Sequence, residues 1–414
     1  MTEAAPSTDV PAVDRAPASM FASFQRPAFR FLYIGGFVFG IGRWGLGFLA
    51  AFVANDLTGS PRAVQLTGAA MWLPLLFAGA AAGTLADRVD RRRLLVGTIV
   101  GLVPVVLTVG VLALVDRLEA WMLYPAMLVL GISWVLDITA RRTLALDIVG
   151  PDLIDNAMAL EALSTAVALI FGVVAGGAIV DVLGPGQAFL AVAALLLIAA
   201  AFVAATGAVD ADHPPGESRV PVSRATHESD AEPVVVEPAE RGMREVIASK
   251  PLQSVLGVTV LANFFFFSHT PLVPVFAERL DASAVGAGLL ASALGLGMAT
   301  AAVGVARLRP PRGLTYVAGA AIAMAAVIGL ARATAFGPAF AASFISAIGF
   351  GMFGATQAVA TMASVRPELR GRAMGMLSMA IGALPLGMFT LGEVAERIGP
   401  DDAVTMYAIA GLLA

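Results

Sequence analysis

The chain has 414 residues and a formal net charge of −4; 58% of its residues are hydrophobic and only 14% are charged. With a mean hydropathy of +0.84, this composition excludes an ordinary soluble globular protein and predicts a multi-span membrane protein. The sequence has no cysteine and only three scattered histidines, so neither disulfides nor a metal cluster is expected. It also lacks a Gly-x-x-x-x-Gly-Lys-Ser/Thr loop, so direct coupling to ATP is excluded and no cofactor is predicted.

Uncharged stretches of about 20 residues, the length that crosses a bilayer, follow one another along the chain in two sets. The first set is predicted at 29–54, 65–86, 94–115, 120–141, 157–180 and 188–208. The second set is predicted at 252–276, 285–306, 314–331, 338–362, 373–394 and from 403 onward. We therefore predict an all-α integral membrane protein with 12 transmembrane helices, arranged as two six-helix bundles. The last span has too few residues to cross a bilayer, so helix 12 is expected to be truncated in this chain.

Polar segments divide the chain into four predicted parts. Residues 1–28 are rich in Ala, Pro and acidic residues and read as a tail that precedes the first six-helix bundle at 29–208. Residues 209–250 combine several prolines with Ser, Glu and Asp, a composition typical of a flexible linker. A short interfacial helix is predicted at 243–249, before the second bundle at 251–414.

The distribution of basic residues predicts the orientation, because short cytoplasmic loops are enriched in Lys and Arg. Most of the 26 basic residues fall in the tail, the linker and the loops that connect spans 2–3, 4–5, 8–9 and 10–11. The loops on the other side contain only Arg62, Arg117, Arg279, Arg332 and Arg397. Both termini are therefore predicted to lie in the cytoplasm, with the protein in the plasma (inner) membrane.

An internal repeat relates the two halves. Residues 149–159, Val-Gly-Pro-Asp-Leu-Ile-Asp-Asn-Ala-Met-Ala, line up with residues 365–375, Val-Arg-Pro-Glu-Leu-Arg-Gly-Arg-Ala-Met-Gly. Residues 181–185 likewise line up with 396–400. Both copies occupy the start and end of the fifth span in their half, which is the pattern of a parallel repeat in a secondary transporter.

The hairpin between spans 2 and 3 contains the most specific motif. Residues 83–93 read Gly-Thr-Leu-Ala-Asp-Arg-Val-Asp-Arg-Arg-Arg. This resembles the Gly-x-Leu-Ala-Asp-Arg-x-Gly-Arg-Arg motif of the major facilitator superfamily through Gly83, Leu85, Ala86, Asp87, Arg88, Arg91 and Arg92, with Asp90 where Gly is usual. The resemblance implies a gating motif in which Asp87 meets the start of helix 11 and Arg91 pairs with an acid at the end of helix 4, for which Asp147 is the candidate.

Two further segments resemble one branch of that superfamily, the drug and siderophore exporters that include enterobactin and macrolide efflux proteins. The first is the predicted loop between spans 4 and 5, from Ala140 to Asp147 and on to Asn156 and Ala157. The second is the glycine motif of span 5, Gly172, Gly176 and Gly177, which is similar to the antiporter motif Gly-Pro-x-x-Gly-Gly with Val173 in place of Pro.

Arg43 lies near the middle of span 1, where an arginine costs about 2.5–3.5 kcal/mol on insertion scales. It is therefore expected to face a wet cavity or a partner. One hypothesis is that its guanidinium attracts an anionic part of the substrate. The alternative is a structural salt bridge to Asp137 or Glu161, both of which lie closer to the cytoplasmic ends of their helices.

Three other polar residues lie within predicted spans. His269 in span 7 is a candidate for proton coupling, or a helix-facing residue that only forms hydrogen bonds. Asn263 in span 7 and Gln357 in span 10 are candidates for substrate contacts, with interhelical hydrogen bonding as the alternative.

These features predict a transport protein and not an enzyme. The leading hypothesis is a monomeric secondary active transporter that moves a small organic compound through the lipid bilayer by alternating access, as a proton-coupled antiporter working in efflux. The alternative is symport uptake of an anionic metabolite or nutrient, and a transport-inactive sensor or scaffold is a third possibility. The expected partners are membrane lipid, a small-molecule substrate and protons, and no nucleic acid.

Overall fold

The computed structural model describes residues 21–212, 247–308 and 310–414, and it describes their side chains except those of 78–88 and 208–212. Apart from short turns and bends, the described residues are helical. Most of the predicted tail and linker lies outside the described residues, as does most of the helix predicted at 243–249.

The first half consists of six long helices joined by short connections. They are α1 (Pro27–Thr58), α2 (Pro61–Arg88), α3 (Arg91–Leu114), α4 (Ala120–Val149), α5 (Ile154–Leu183) and α6 (Pro185–Asp212). Prolines at the first position of α1, α2 and α6 suit helix starts, because that position needs no N–H donor.

The second half repeats this arrangement. Its helices are α7 (Lys250–Arg279), α8 (Ala284–Leu308), α9 (Arg312–Arg332), α10 (Phe336–Ala363), α11 (Pro367–Ile398) and α12 (Pro400–Leu413). Among the described residues, ten of the twelve helices are long and apolar enough to cross a membrane. The last helix has 14 residues. The predicted all-α membrane fold of twelve helices in two bundles is confirmed.

Several helix boundaries differ from the predictions. Residues Ala140–Asp147, predicted to be a loop, belong to α4, which continues to Val149. Residues Ala22–Gln25, predicted to be tail, form a 3-10 turn in which Ser23 donates its hydroxyl hydrogen to Asn156 at the start of α5, with an O–O distance of 2.7 Å. These charged and polar residues lie on helical ends instead of loops, since a helix extends past the hydrocarbon into the interfacial region.

Two helices predicted as continuous spans are irregular. In α7, a regular part (Lys250–Leu261) is followed by a π turn (Ala262–Phe266), a 3-10 segment (Phe267–Leu272) and a final α segment (Val273–Arg279). Pro271 and Pro274 lack the N–H groups that would continue the α pattern. The helix α11 is divided at Gly382, between Arg370–Ile381 and Ala383–Ile398.

The two bundles meet along two main helix pairs, α5 with α8 and α2 with α11. Within the first bundle α1 packs on α5 and α6, and within the second α9 and α8 pack on α10. We call the end of the molecule that contains the connection between α2 and α3 the hairpin end. The end that contains the connection between α1 and α2 is called the opposite end.

Candidate functional site

A cavity lies between the two halves, and its empty space, counted together with its solvent-open mouth, is about 950 Å³. Its wall is largely apolar and includes the aromatic and thioether side chains of Trp44, Phe48, Met71, Trp72, Met127 and Phe266. The polar side chains in the wall are Thr67, His269, Thr270, Ser343 and Ser346. Among the described residues, no Asp, Glu, Lys or Arg belongs to this wall.

Arg43 lies between two tryptophans, one of which, Trp44, lines the cavity. It is only 4% exposed, and its guanidinium carbon is 4.0 Å from the ring centre of Trp44 and 4.7 Å from that of Trp134. Its Nη1 atom is buried without a hydrogen-bond partner. Trp44 itself lines the cavity, so the Arg43 guanidinium stacks on a residue of the cavity wall.

Asp137 pairs with Arg141, one helical turn further along α4, and not with Arg43. The Nε atom of Arg141 donates to Asp137 Oδ2 over 3.0 Å, and Arg141 Nη2 donates to Oδ1. Arg141 Nη1 also donates to the carbonyl of Leu32 in α1, over 3.1 Å. Both charged residues are buried. The direct Arg43–Asp137 bridge considered above is therefore not observed, because the continuation of α4 brings Arg141 onto the same helix face.

Glu161 lies half-buried on α5 and interacts electrostatically with Arg141, Arg142 and Asp137. It thus joins the charged cluster around α4. Among the described ion pairs, none links Glu161 to Arg43. The alternative bridge for Arg43 is therefore not observed either.

His269 faces the cavity from the 3-10 segment of α7 and is 7% exposed. Its Nδ1 atom is 2.6 Å from the carbonyl oxygen of Phe266. A carbonyl only accepts hydrogen bonds, so Nδ1 carries a hydrogen and Nε2 is the ring atom whose protonation can change. His269 therefore combines a fixed ring with a position in the cavity wall.

Asn263 and Gln357 come together in a polar network between α7, α9 and α10. Asn263 Nδ2 donates to the Thr259 carbonyl over 2.8 Å, and Gln357 Nε2 donates to the Thr259 hydroxyl over 3.3 Å. That hydroxyl is 2.7 Å from the hydroxyl of Tyr316. Neither Asn263 nor Gln357 lines the cavity. Gln357 instead forms an interhelical hydrogen bond, and Asn263 forms a hydrogen bond within its own helix.

The glycine motif of α5 lies at two close helix contacts. A β-carbon on Gly172 would lie 2.5 Å from the carbonyl oxygen of Ile41 in α1, and one on Gly177 would lie 2.2 Å from that of Ala284 in α8. Gly176 has ordinary spacing to Leu49. The motif therefore packs α5 against α1 in its own half and against α8 in the other half.

At the hairpin end, Arg91 forms an ion pair with Asp147, the partner proposed above. The guanidinium of Arg92 lies against Gly207 of α6, in the space that a β-carbon would occupy there. The side chains of Asp87 and Arg88, and the surroundings of Gly83, lie outside the described residues. The described residues of the gating motif, Arg91 and Arg92, therefore contact α4 and α6, which belong to the same half.

At the opposite end, polar contacts join the two halves. Asn55 of α1 donates to the Glu278 carboxylate of α7, and Arg62 Nε of α2 lies 2.8 Å from Glu393 Oε1 of α11. Carboxylates at Asp181 and Glu396 accept hydrogen bonds from the starts of α8 and α2. None of these contacts was predicted from the sequence, although the internal repeat already aligned Asp181 with Glu396.

The sequence was compared with protein-family models and with curated proteins. Residues 32–390 match the family model described as Major Facilitator Superfamily. A search of curated protein sequences gave no match.

Several solved structures are similar in fold. They include a bacterial homolog of the human lysosomal transporter Spinster, inward-facing and unoccupied, with 14% identity, a TM-score of 0.70, and coverage of 94% of this chain and 95% of that chain. The nucleoside transporter NupG has 13% identity, a TM-score of 0.63 and coverage of 93% and 96%. The xylose transporter XylE from E. coli, in an inward open conformation, has 11% identity, a TM-score of 0.66 and coverage of 94% of both chains.

Proposed function

Because the chain belongs to the major facilitator superfamily, we propose that it is a secondary active transporter that carries a small organic compound across the plasma membrane by alternating access. The cavity between the two halves supports this function, since its wall contains residues of both bundles. A rocking motion of one bundle against the other would change the side from which the cavity is reached. We propose that a single chain surrounded by lipid is the working unit.

The hairpin end is proposed to face the cytoplasm, with both termini on that side, because the loops there are rich in arginine. The described ion pair at that end, Arg91–Asp147, lies within one half. At the opposite end, by contrast, several described polar contacts cross between the halves, among them Arg62–Glu393 and Asn55–Glu278. This asymmetry supports an inward-facing state, the state named for the Spinster homolog and for XylE.

The cavity wall favours a partly aromatic, amphiphilic substrate that is neutral or anionic. Its tryptophans and methionines offer stacking and dispersion contacts. A cationic drug would find no carboxylate among the described lining residues. Proton-coupled efflux is proposed from the resemblance of the α5 glycine motif to that of antiporters, with His269 as the candidate proton carrier in the wall.

A second candidate is uptake of an anionic metabolite by symport with protons. The unpartnered Nη1 atom of Arg43 favours it, because a buried donor without a partner is stabilised when an anion approaches. Both candidates use the same cavity and differ in the direction of substrate flux.

The function is tested by reconstituting the full chain in liposomes with an imposed pH gradient and a panel of anionic, neutral and cationic aromatic compounds. Efflux coupled to protons predicts that substrate and protons cross in opposite directions, which is measured with a pH-sensitive dye and labelled substrate. Movement of an anionic compound in the same direction as the protons supports the second candidate. Absence of flux for every compound contradicts both and leaves the sensor or scaffold.

Asp87→Asn is expected to lower transport about tenfold while the amount of protein in the membrane stays unchanged. The proposed role of the Asp87 carboxylate is to meet the positive end of the α11 dipole when the cytoplasmic side closes, and Asn keeps the shape but not the charge. Initial rates in the same liposomes check this. Asp116→Asn is the matched control, because Asp116 is exposed at the opposite end in a left-handed conformation that Asn also adopts. Full transport by Asp87→Asn would contradict the proposed role.

A further inference from the structure

Two acidic residues occupy equivalent places in the internal repeat. Asp181 lies near the end of α5 and Glu396 near the end of α11. In both cases a Gly-Pro pair follows, and its proline is the first residue of the next helix, Pro185 of α6 or Pro400 of α12. The two carboxylates therefore lie at the opposite end of the molecule, one in each half.

Asp181 caps the first turn of α8 in the other half. Its Oδ1 atom accepts the N–H of Ala284 over 2.8 Å, and its Oδ2 atom accepts the N–H of Val285 over 2.9 Å. These are among the N–H groups that have no partner within α8, since the first turn of a helix lacks preceding carbonyls. The carboxylate also lies at the positive end of the α8 dipole.

Glu396 makes the reciprocal contact with the first turn of α2. Its Oε2 atom accepts the hydroxyl hydrogen of Ser60 over 2.7 Å and the N–H of Arg62 over 3.2 Å. The residue between them, Pro61, has no N–H to offer. A carboxylate of the second half thus caps a helix of the first half, as Asp181 does in the other direction.

A glycine lies four residues before each acid, on the same helix face. A β-carbon on Gly177 would lie 2.2 Å from the carbonyl oxygen of Ala284 in α8. A β-carbon on Gly392 would lie 2.9 Å from the β-carbon of Gln65 in α2. Each glycine therefore lets the two helices approach closely enough for the acid to reach the partner helix.

We propose that Asp181 with the start of α8, and Glu396 with the start of α2, are twin latches that hold the opposite end closed. This inference rests on the proposed alternating access. All the hydrogen bonds in the twin latches cross between the halves, so they break when that end opens and water replaces them. The twin latches therefore bias the chain toward the state that is open at the hairpin end.

Removal of one latch is expected to raise the ratio of molecules open at the opposite end to molecules closed there by about fivefold. Loss of a negative charge from the positive end of a helix dipole costs up to about 1 kcal/mol, which corresponds to this change. Because the two latches lie on different helix pairs, the double variant is expected to show roughly the product of the two effects. The variants are Asp181→Asn and Glu396→Gln, which keep the side-chain shape and remove the charge.

The test uses the full chain in lipid nanodiscs with spin labels on two introduced cysteines. The sequence contains no other cysteine, so labelling is specific. Val115→Cys and Thr334→Cys place labels on exposed connections of the opposite end, one in each half. The expected result is a larger fraction of long label distances in each single variant and the largest in the double variant.

Asp402→Asn is the matched control, because Asp402 pairs with Arg332 at the same end but within the second half, with an N–O distance of 2.8 Å. Ser60→Ala is a second, milder variant that removes only the hydroxyl donor of one latch, should an acid variant fail to fold. An equal shift in Asp402→Asn, or no shift in the double variant of a transporting parent, overturns the twin latches. A parent that transports no compound and keeps a single distance contradicts the proposed function instead.

Discussion

Asp137→Asn is expected to lower the free energy of unfolding by about 3–5 kcal/mol, the range for breaking a buried ion pair by removal of one partner. Asp137 and Arg141 have side chains that are 8% and 6% exposed. The remaining guanidinium would keep its hydrogen bond to the Leu32 carbonyl, but its charge would retain only the electrostatic attraction of Glu161 and no paired carboxylate. Loss of this pair also loosens the link between α4 and α1, so transport is expected to fall with stability.

Reversible unfolding in mixed micelles of dodecyl sulfate measures this change. Asp147→Asn is the matched control, because Asp147 pairs with Arg91 at a partly exposed site, where such pairs contribute about 0–1 kcal/mol. The double variant Asp137→Asn with Arg141→Gln removes both charges and is expected to recover part of the loss. Equal free energies of unfolding for Asp137→Asn and Asp147→Asn would show that the Asp137–Arg141 ion pair contributes no more to stability than an exposed pair.

The twelve-helix architecture is predictable from the sequence because hydrocarbon tolerates few charges, so the charges mark the ends of the spans. The same reasoning placed the end of α4 too early. Arg141 and Arg142 were read as a loop, whereas α4 extends to Val149. The buried Arg141 is tolerated there because Asp137 pairs with it one turn away. Counting charges along the sequence does not reveal this pairing.

The contacts of the candidate site were less predictable, since they depend on how helices from different parts of the chain meet. The repeat aligned Asp181 with Glu396, but only the packing of α5 on α8 and of α11 on α2 shows that each carboxylate caps a helix of the other half. The irregular course of α7 was missed because Pro271 and Pro274 are common enough in membrane helices that they do not define a π or 3-10 segment. His269 lies in the 3-10 segment and in the cavity wall.

Arg43 was expected to face a wet cavity or a charged partner, and its actual surroundings were not foreseen. Neither carboxylate considered as its partner forms the bridge, and two tryptophan rings flank the guanidinium instead. Stacking on aromatic faces satisfies part of the electrostatic demand of a buried cation. This stacking does not neutralise the guanidinium, so its positive charge can still attract an anionic substrate in the cavity.

Arg43→Gln is therefore expected to weaken binding of an anionic aromatic substrate by roughly thirtyfold and to change binding of its neutral analogue less than about twofold. For an anion bound about 8 Å from the guanidinium, the two unit charges attract by about 2 kcal/mol at an effective dielectric constant of about 20. Equilibrium binding of the anionic and neutral compounds to the purified protein measures the difference.

Arg43→Lys separates charge from packing in the same assay. Lysine keeps the charge and loses the planar surface that stacks on Trp44 and Trp134. If the charge acts on the substrate, Arg43→Lys retains most of the preference for the anion over the neutral analogue, whereas Arg43→Gln loses it. If Arg43 only supports the two tryptophans, both variants weaken binding of both compounds to the same extent, and the anionic preference of the parent stays unchanged. That second pattern would remove the reason to expect an anionic substrate and would leave shape and aromatic stacking as the basis of recognition.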